Sequence, residues 1–221
     1  MVLFKINGER NSGTNFLTKI LEMNNFPTYI HRRKKNTIYH WKHGVPSDDY
    51  KKLDETVVDL FIFRNLEDWL VSCLHNVYHL HKYDSFKKFL TLPQISDDKT
   101  LIDYRTNRCL NEDDNGKTIF QIREYKFNKI MEYKKRNKDV ILVNLSFIQD
   151  SNNLSQFLDF LSDKYIPKLK VDNYITNIKH TKNNSNITNR TYNINISEYR
   201  DIIDSNLNDE IENFINNLTF I

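Results

Sequence analysis

Alanine is absent from the 221-residue chain, and glycine, proline and cysteine occur only four, four and two times. At an average usage of about 7%, roughly fifteen glycines would be expected. Asparagine, lysine, isoleucine, phenylalanine and tyrosine take their place. The depleted residues have GC-rich codons and the enriched ones AT-rich codons, which points to an AT-rich genome. Glycine this scarce is kept where the backbone needs it. Cys73 and Cys109 give neither a disulfide framework nor zinc-ligand spacing. They predict reduced thiols in a cytoplasmic compartment. No run of about 18 apolar residues is present, so no membrane span is expected. The apolar start of the chain, residues 1–6, is too short for a signal-peptide core. A net charge of +3 is too mild to predict a nucleic-acid partner.

What is present suffices for a core. Hydrophobic residues at 39%, with 13% aromatics, argue against global disorder. The length suits a single domain over residues 1–221. Residues 2–7 read as a buried strand that ends at Gly8. Phe16, Leu17, Ile20 and Leu21 have helical spacing and predict a helix over 14–24. Residues 37–41 suggest a second strand. The run 57–63 is nearly all apolar, as a central parallel strand covered on both faces should be. Helices are expected over 67–81, 86–90, 117–137, 154–165 and 197–218, and a strand over 139–145. Residues 96–115 read as a polar loop with some helix, and the asparagine-rich 172–195 as a long loop. Strands alternating with helices predict an α/β fold of three layers, with a central parallel sheet flanked by helices.

Three segments carry candidate chemistry. The first, Gly8-Glu9-Arg10-Asn11-Ser12-Gly13-Thr14-Asn15, lies between a strand and a helix. Its two glycines have the spacing of a phosphate-cradling loop, G-x-x-x-x-G, so the expected fold is of the P-loop type. Glycines allow a tight turn in which successive N–H groups face an anion. The following helix N-terminus adds a positive dipole. Nucleoside-triphosphatase loops continue with Lys and then Ser or Thr, whereas Thr14 and Asn15 stand here. Such a loop suits a phosphate group without a metal-bound γ-phosphate. The plainer alternative is an ordinary strand–turn–helix corner. In the second segment Arg64 ends the strongest strand, at the carboxyl edge where ligands bind in such sheets. Ser72 follows two helical turns later. A guanidinium and a hydroxyl so placed can hold a second phosphate. The alternative is an Arg64 paired with Glu67 or Asp68.

Together these segments resemble the sulfotransferase family, whose donor is 3′-phosphoadenylyl sulfate (PAPS). That family grips the 5′-phosphosulfate with a basic residue followed by Ser-Gly-Thr and then Thr or Asn. Ser12-Gly13-Thr14-Asn15 matches this loop, with Asn11 where the basic residue stands and Arg10 one position earlier. The family grips the 3′-phosphate with a strand ending in Arg, then Asp or Asn, then Pro, followed by an acidic residue and a Ser. Arg64, Asn65, Asp68 and Ser72 match, with Leu66 in place of the proline. The longer string from Gly8 to Leu17 is similar to a variant found in bacterial and viral sulfotransferase-like proteins. The resemblance covers about the first 80 residues. It implies that Arg10, Asn11, Ser12, Gly13, Thr14, Asn15, Arg64 and Ser72 bind PAPS, and that transfer needs no metal.

The third segment is His40-Trp41-Lys42-His43-Gly44-Val45-Pro46. The family often carries a Lys-x-His-x-Pro stretch here, with the His as general base. Lys42 and His43 are similar in type but not in spacing. A His is suited to take the acceptor hydroxyl's proton near pH 7. Lys42 is suited to stabilise charge on the bridging oxygen. His43 is preferred to His40, and a solvated loop His and Lys is the plain alternative. Tyr78-His79 resembles a pair in related sequences and makes His79 a candidate for the acceptor pocket. Within the loop 172–195, expected to lie over the nucleotide site, Arg190 is the candidate basic residue of the segment that closes on the donor. His75 and His79 are spaced i, i+4, as a metal pair would be, but no third ligand has fitting spacing. The basic run 31–35 is read as a solvated turn. The expected partners are thus a nucleotide donor and a hydroxyl acceptor, which could be a sugar (a carbohydrate), phenol, peptide or lipid. The rivals are a magnesium-dependent P-loop kinase and a degenerate nucleotide-binding domain kept for interaction.

Overall fold

The computed structural model describes residues 2–9, 11–29, 46, 56–75, 83–94, 102–103, 108–109, 116–167, 169, 174–176 and 194–221. Among these, three strands form a parallel sheet in the order β1 (Val2–Gly8), β2 (Thr56–Phe63) and β5 (Val140–Asn144). The register pairs Phe4 with Val58 and Leu60 with Ile141. Two further strands, β3 (Ile102–Asp103) and β4 (Arg108–Cys109), pair antiparallel. They fall within 96–115, where the sequence suggests a polar loop with some helix; the rest of that segment lies outside the described residues. The helices are α1 (Thr14–Met23), α2 (Leu66–His75), α3 (Phe86–Thr91), α4 (Ile119–Arg136), α5 (Leu145–Gln149), α6 (Ser151–Tyr165), α7 (Arg200–Asp204) and α8 (Asp209–Asn217).

Side chains alternate across a strand, and that alternation builds the layers. Phe4, Ile6, Val58, Leu60, Ile62, Ile141 and Val143 share one face of the sheet. They pack with Leu17, Ile20 and Leu21 of α1 and Leu154, Phe157, Leu158 and Leu161 of α6. Phe61, Phe63, Val140 and Leu142 face the other way, onto Phe127, Ile130 and Tyr133 of α4 and Ile211 and Ile215 of α8. A third cluster joins α2, α3, the start of α4 and Ile203 of α7. The chain is therefore an α/β fold with a parallel sheet flanked by helices. Among the described residues no helix is long and apolar enough to cross a membrane.

Local chemistry explains most element ends. A capping box starts α4: the Gln121 amide donates to the Thr118 hydroxyl at 3.3 Å, and the Thr118 amide donates to the Gln121 side chain at 2.9 Å. Asp150 caps α6 through the amides of Asn152 and Asn153, both at 3.0 Å, so that helix begins before the predicted residue 154. The single helix expected over 197–218 is instead a 3-10 turn (Ile196–Tyr199), α7 and α8. Ser205 and Asn206 bond back to the Ile202 carbonyl at 3.1 and 2.8 Å, and Asn208 caps α8 by accepting from the Ile211 amide. Polar side chains that compete for the backbone break the helix at that point. The strand expected at 37–41 lies outside the described residues.

Candidate anion site at the carboxyl edge of the sheet

β1 runs into the turn 8–13 and α1 follows at once. Two backbone constraints shape this corner. A Cβ on Gly8 would meet the Ile62 carbonyl oxygen and the Ser12 Oγ, each at 2.5 Å, so β1 and β2 approach too closely there for any side chain. Gly13 has φ +100°, and a Cβ on it would meet Leu145 Cδ1 at 2.8 Å. Asn11 also adopts the left-handed region, at φ 60°, which asparagine tolerates better than most residues. The Ser12 hydroxyl donates to the Glu9 carbonyl at 2.7 Å, and the Ser12 amide donates to the same oxygen at 3.2 Å. Ser12 is fully buried, and its one O–H closes the turn. Gly13 caps α1 without offering a capping oxygen, and the first turn of α1 carries no acidic residue. The positive end of the helix is therefore neither capped nor countered by its own side chains. Thr14 is buried and Asn15 is exposed.

The second segment meets this turn directly. Arg64 leaves the end of β2 and donates from one terminal nitrogen to the Asn11 carbonyl at 3.3 Å. Its Nε–H is buried and has no hydrogen-bond partner among the described residues. Arg64, Glu67, Asp68, Val71, Ser72 and Ile196 line a cleft of about 390 Å³. Glu67 is paired with Arg200 at 2.6 Å, and among the described residues neither Glu67 nor Asp68 bridges to Arg64. A guanidinium joined to the loop, with an unspent buried donor, shares its cleft with the Ser72 side chain. A buried donor left in this way is one that a bound acceptor would satisfy.

Compared with protein-family models, curated proteins and solved structures, the chain has no match. The site is therefore read from its own geometry. That geometry brings together Asn11, Ser12, Gly13, Thr14, Arg64 and Ser72. The Asn11 side chain turns inward, donating to the Cys73 sulfur at 3.6 Å. Asn65 accepts from the Asn144 side chain at 3.0 Å, and Asn144 also donates to the Ile215 carbonyl at 2.6 Å. Asn65 thus fastens the turn after β2 to β5 and α8. Arg10, His40, Lys42, His43, His79 and Arg190 lie outside the described residues. Of the loop 172–195, the described ends lie apart. Ile175 exchanges two hydrogen bonds with the Asn24 side chain at the far end of α1, and Ile196, just beyond the loop, lines the cleft.

One residue that sequence reasoning passed over lies under both segments. Arg123 of α4 donates to Glu9 at 2.6 Å, to the Arg64 carbonyl at 2.8 Å and to both carboxylate oxygens of Glu212 at 2.6 and 2.8 Å. Its guanidinium lies over the Trp69 ring, 4.9 Å from the centroid. Burial disfavours its charge, but Glu9 and Glu212 outweigh burial and hold it more firmly protonated than usual. The sequence does carry a signal for it. Ile119, Arg123, Lys126, Ile130 and Tyr133 follow a 4-3-4-3 helical spacing and are all buried. Two cations within an apolar stripe announce buried partners.

Proposed function

We propose that the protein is a sulfotransferase that takes the sulfuryl group from PAPS. The observation that carries this reading is the placement of Arg64. It touches the 8–13 turn and shares a cleft with Ser72, and its buried Nε–H has no partner among the described residues. Two anion-gripping segments side by side suit a ligand with two phosphate-like groups. The backbone of Gly13 and the first turn of α1, with Thr14, hold the 5′-phosphosulfate. Arg64 and Ser72 hold the 3′-phosphate. Ser12 shapes the loop, since its O–H is spent on Glu9. His43 takes the acceptor hydroxyl's proton as the acceptor oxygen attacks sulfur, and the bond from sulfur to the bridging phosphate oxygen breaks in line. Lys42 stabilises the charge left on that oxygen. A preorganised loop supplies much of the electrostatic help.

Calorimetric titration with 3′,5′-adenosine bisphosphate tests the donor site. Binding that is lost in Arg64→Ala supports it. No binding, or binding indifferent to Arg64→Ala, overturns it. Transfer from labelled PAPS that disappears in His43→Ala separates an enzyme from a binding domain. Magnesium-dependent ATP binding in its place favours a kinase.

A further inference from the structure

We propose that Arg123 is the positioning residue of this anion site, setting the distance between the 8–13 turn and Arg64. The contacts form a closed ring. Arg123 holds the Glu9 carboxylate and the Arg64 carbonyl with two nitrogens of one rigid plane, at 2.6 and 2.8 Å. The Glu9 carbonyl anchors Ser12, and the Arg64 side chain returns to the carbonyl of Asn11, next to Ser12. The loop and the end of β2 are each tied to the same guanidinium and to each other. Glu212 and the Trp69 ring hold that guanidinium from behind. The capping box at Thr118 fixes where α4 begins, and so where Arg123 points.

Energetics favour a positioning role over a stabilising one. Arg123 and Glu9 each expose only 3% of their side chains. A buried ion pair is a weak source of stability, because desolvation offsets most of the attraction. What a planar five-donor fork gives is fixed geometry, and a lysine ammonium cannot make the same directed contacts at once. Misplacing a binding group by about 1 Å can cost about a hundredfold in function. Arg123 touches no ligand in this scheme; it acts through Glu9 and Arg64. The inference rests on the donor-site reading for what the geometry serves, but the ring itself can be tested without a ligand.

The test compares Arg123→Lys with Leu158→Ala, a fully buried residue on the opposite face of the sheet, at a temperature where both are folded. Amide exchange is followed at Ser12 and Trp69, whose N–H groups bond to Glu9 and Asn65, and at Leu142, which bonds to Ile221. The expected result for Arg123→Lys is faster exchange at Ser12 and Trp69 with Leu142 unchanged. Affinity for 3′,5′-adenosine bisphosphate falls about tenfold or more. Leu158→Ala keeps wild-type affinity. Exchange that rises equally at all three amides, or an unchanged affinity in Arg123→Lys, overturns the proposal. If Arg123→Lys does not fold, Glu212→Gln loosens the rear anchor and must give the same local pattern more weakly; unchanged exchange at Ser12 and Trp69 overturns the proposal. If the wild-type protein binds no bisphosphate, the donor-site reading fails, and the exchange pattern alone still decides the role of Arg123.

Discussion

The two faces of the sheet solve different problems. The face toward α1 and α6 is hydrocarbon throughout, from Phe4 and Ile6 to Phe157 and Leu161. The face toward α4 and α8 is apolar along β5 as far as Leu142, ends there in the buried Asn144, and is polar along β1. Lys5, Asn7 and Glu9 lie two residues apart on that face, and all are buried. Lys5 sits opposite Asp59 in the register and bridges to it at 3.6 Å. Asp59 also accepts from Asn7 at 2.8 Å and from Tyr133 at 3.0 Å. Burial lowers the Lys5 ammonium below its ordinary pKa, against the pull of Asp59. Further along, Glu9 meets Arg123 beneath the candidate site. Hydrocarbon packing is strong but adaptable, whereas buried polar contacts are directional and fail when one partner is missing. One face supplies cohesion and the other supplies position.

Substitutions on each face test that division, and the largest effects fall in the two cores. Phe157→Ala should cost about 3–5 kcal/mol in denaturant unfolding, with bisphosphate affinity of the folded protein unchanged. Asp59→Leu should cost a similar amount, about 3–5 kcal/mol, because it leaves Lys5 buried without its counter-charge. The faces differ in rescue. Adding Lys5→Met to Asp59→Leu should recover part of the loss, since replacing both partners of a buried ion pair is often near neutral, while Asn7 and Tyr133 still lose Asp59 as an acceptor. No recovery in the double variant would show that the polar face stabilises as strongly as the hydrocarbon one.

Smaller effects separate position from stability. Gly8→Ala forces a methyl against the Ile62 carbonyl and should cost about 1–3 kcal/mol. Bisphosphate binding should weaken with it, unlike in Phe157→Ala; equal affinities in the two variants would contradict the division. The smallest effect concerns Cys73, beside Asn11. Burial pushes its thiol from the ordinary 9.0 up to about 12. The folded value lies above the unfolded one. Its contribution is therefore complete below about pH 9 and is lost as pH rises toward 12. At pH 8 the Cys73 thiol should react with iodoacetamide only as fast as the protein unfolds, read by site-resolved mass spectrometry. Rapid labelling of the folded protein would show that the packing beneath the loop is open.

Much of the fold was legible because it is written in short-range patterns. The run 57–63 reads as a central strand because, Asp59 apart, both its faces are apolar, and β2 is paired on both sides. Gly8 and Gly13 read as backbone requirements, and each excludes a Cβ for its own reason, close approach at one and positive φ at the other. The end of the chain reads as one helix because apolar spacing continues across Ser205 to Asn208, but the side chains of Ser205, Asn206 and Asn208 compete for the backbone there and divide it. Ser12 was legible as a loop residue, but only the structure shows its hydroxyl turned to the Glu9 carbonyl.

The sequence by itself determined the alternation of strands and helices, the apolar faces, and the juxtaposition of a glycine-framed turn with a helix N-terminus. Each depends on neighbours a few residues apart, where periodicity and glycine placement carry the information. The tertiary structure alone decided which charges meet. Arg123 pairs with Glu9 across 114 positions, with Glu212 across 89 and with the Arg64 carbonyl across 59. No local pattern encodes such partners, because they are chosen by the order of strands in the sheet and by the way α4 and α8 cross its polar face.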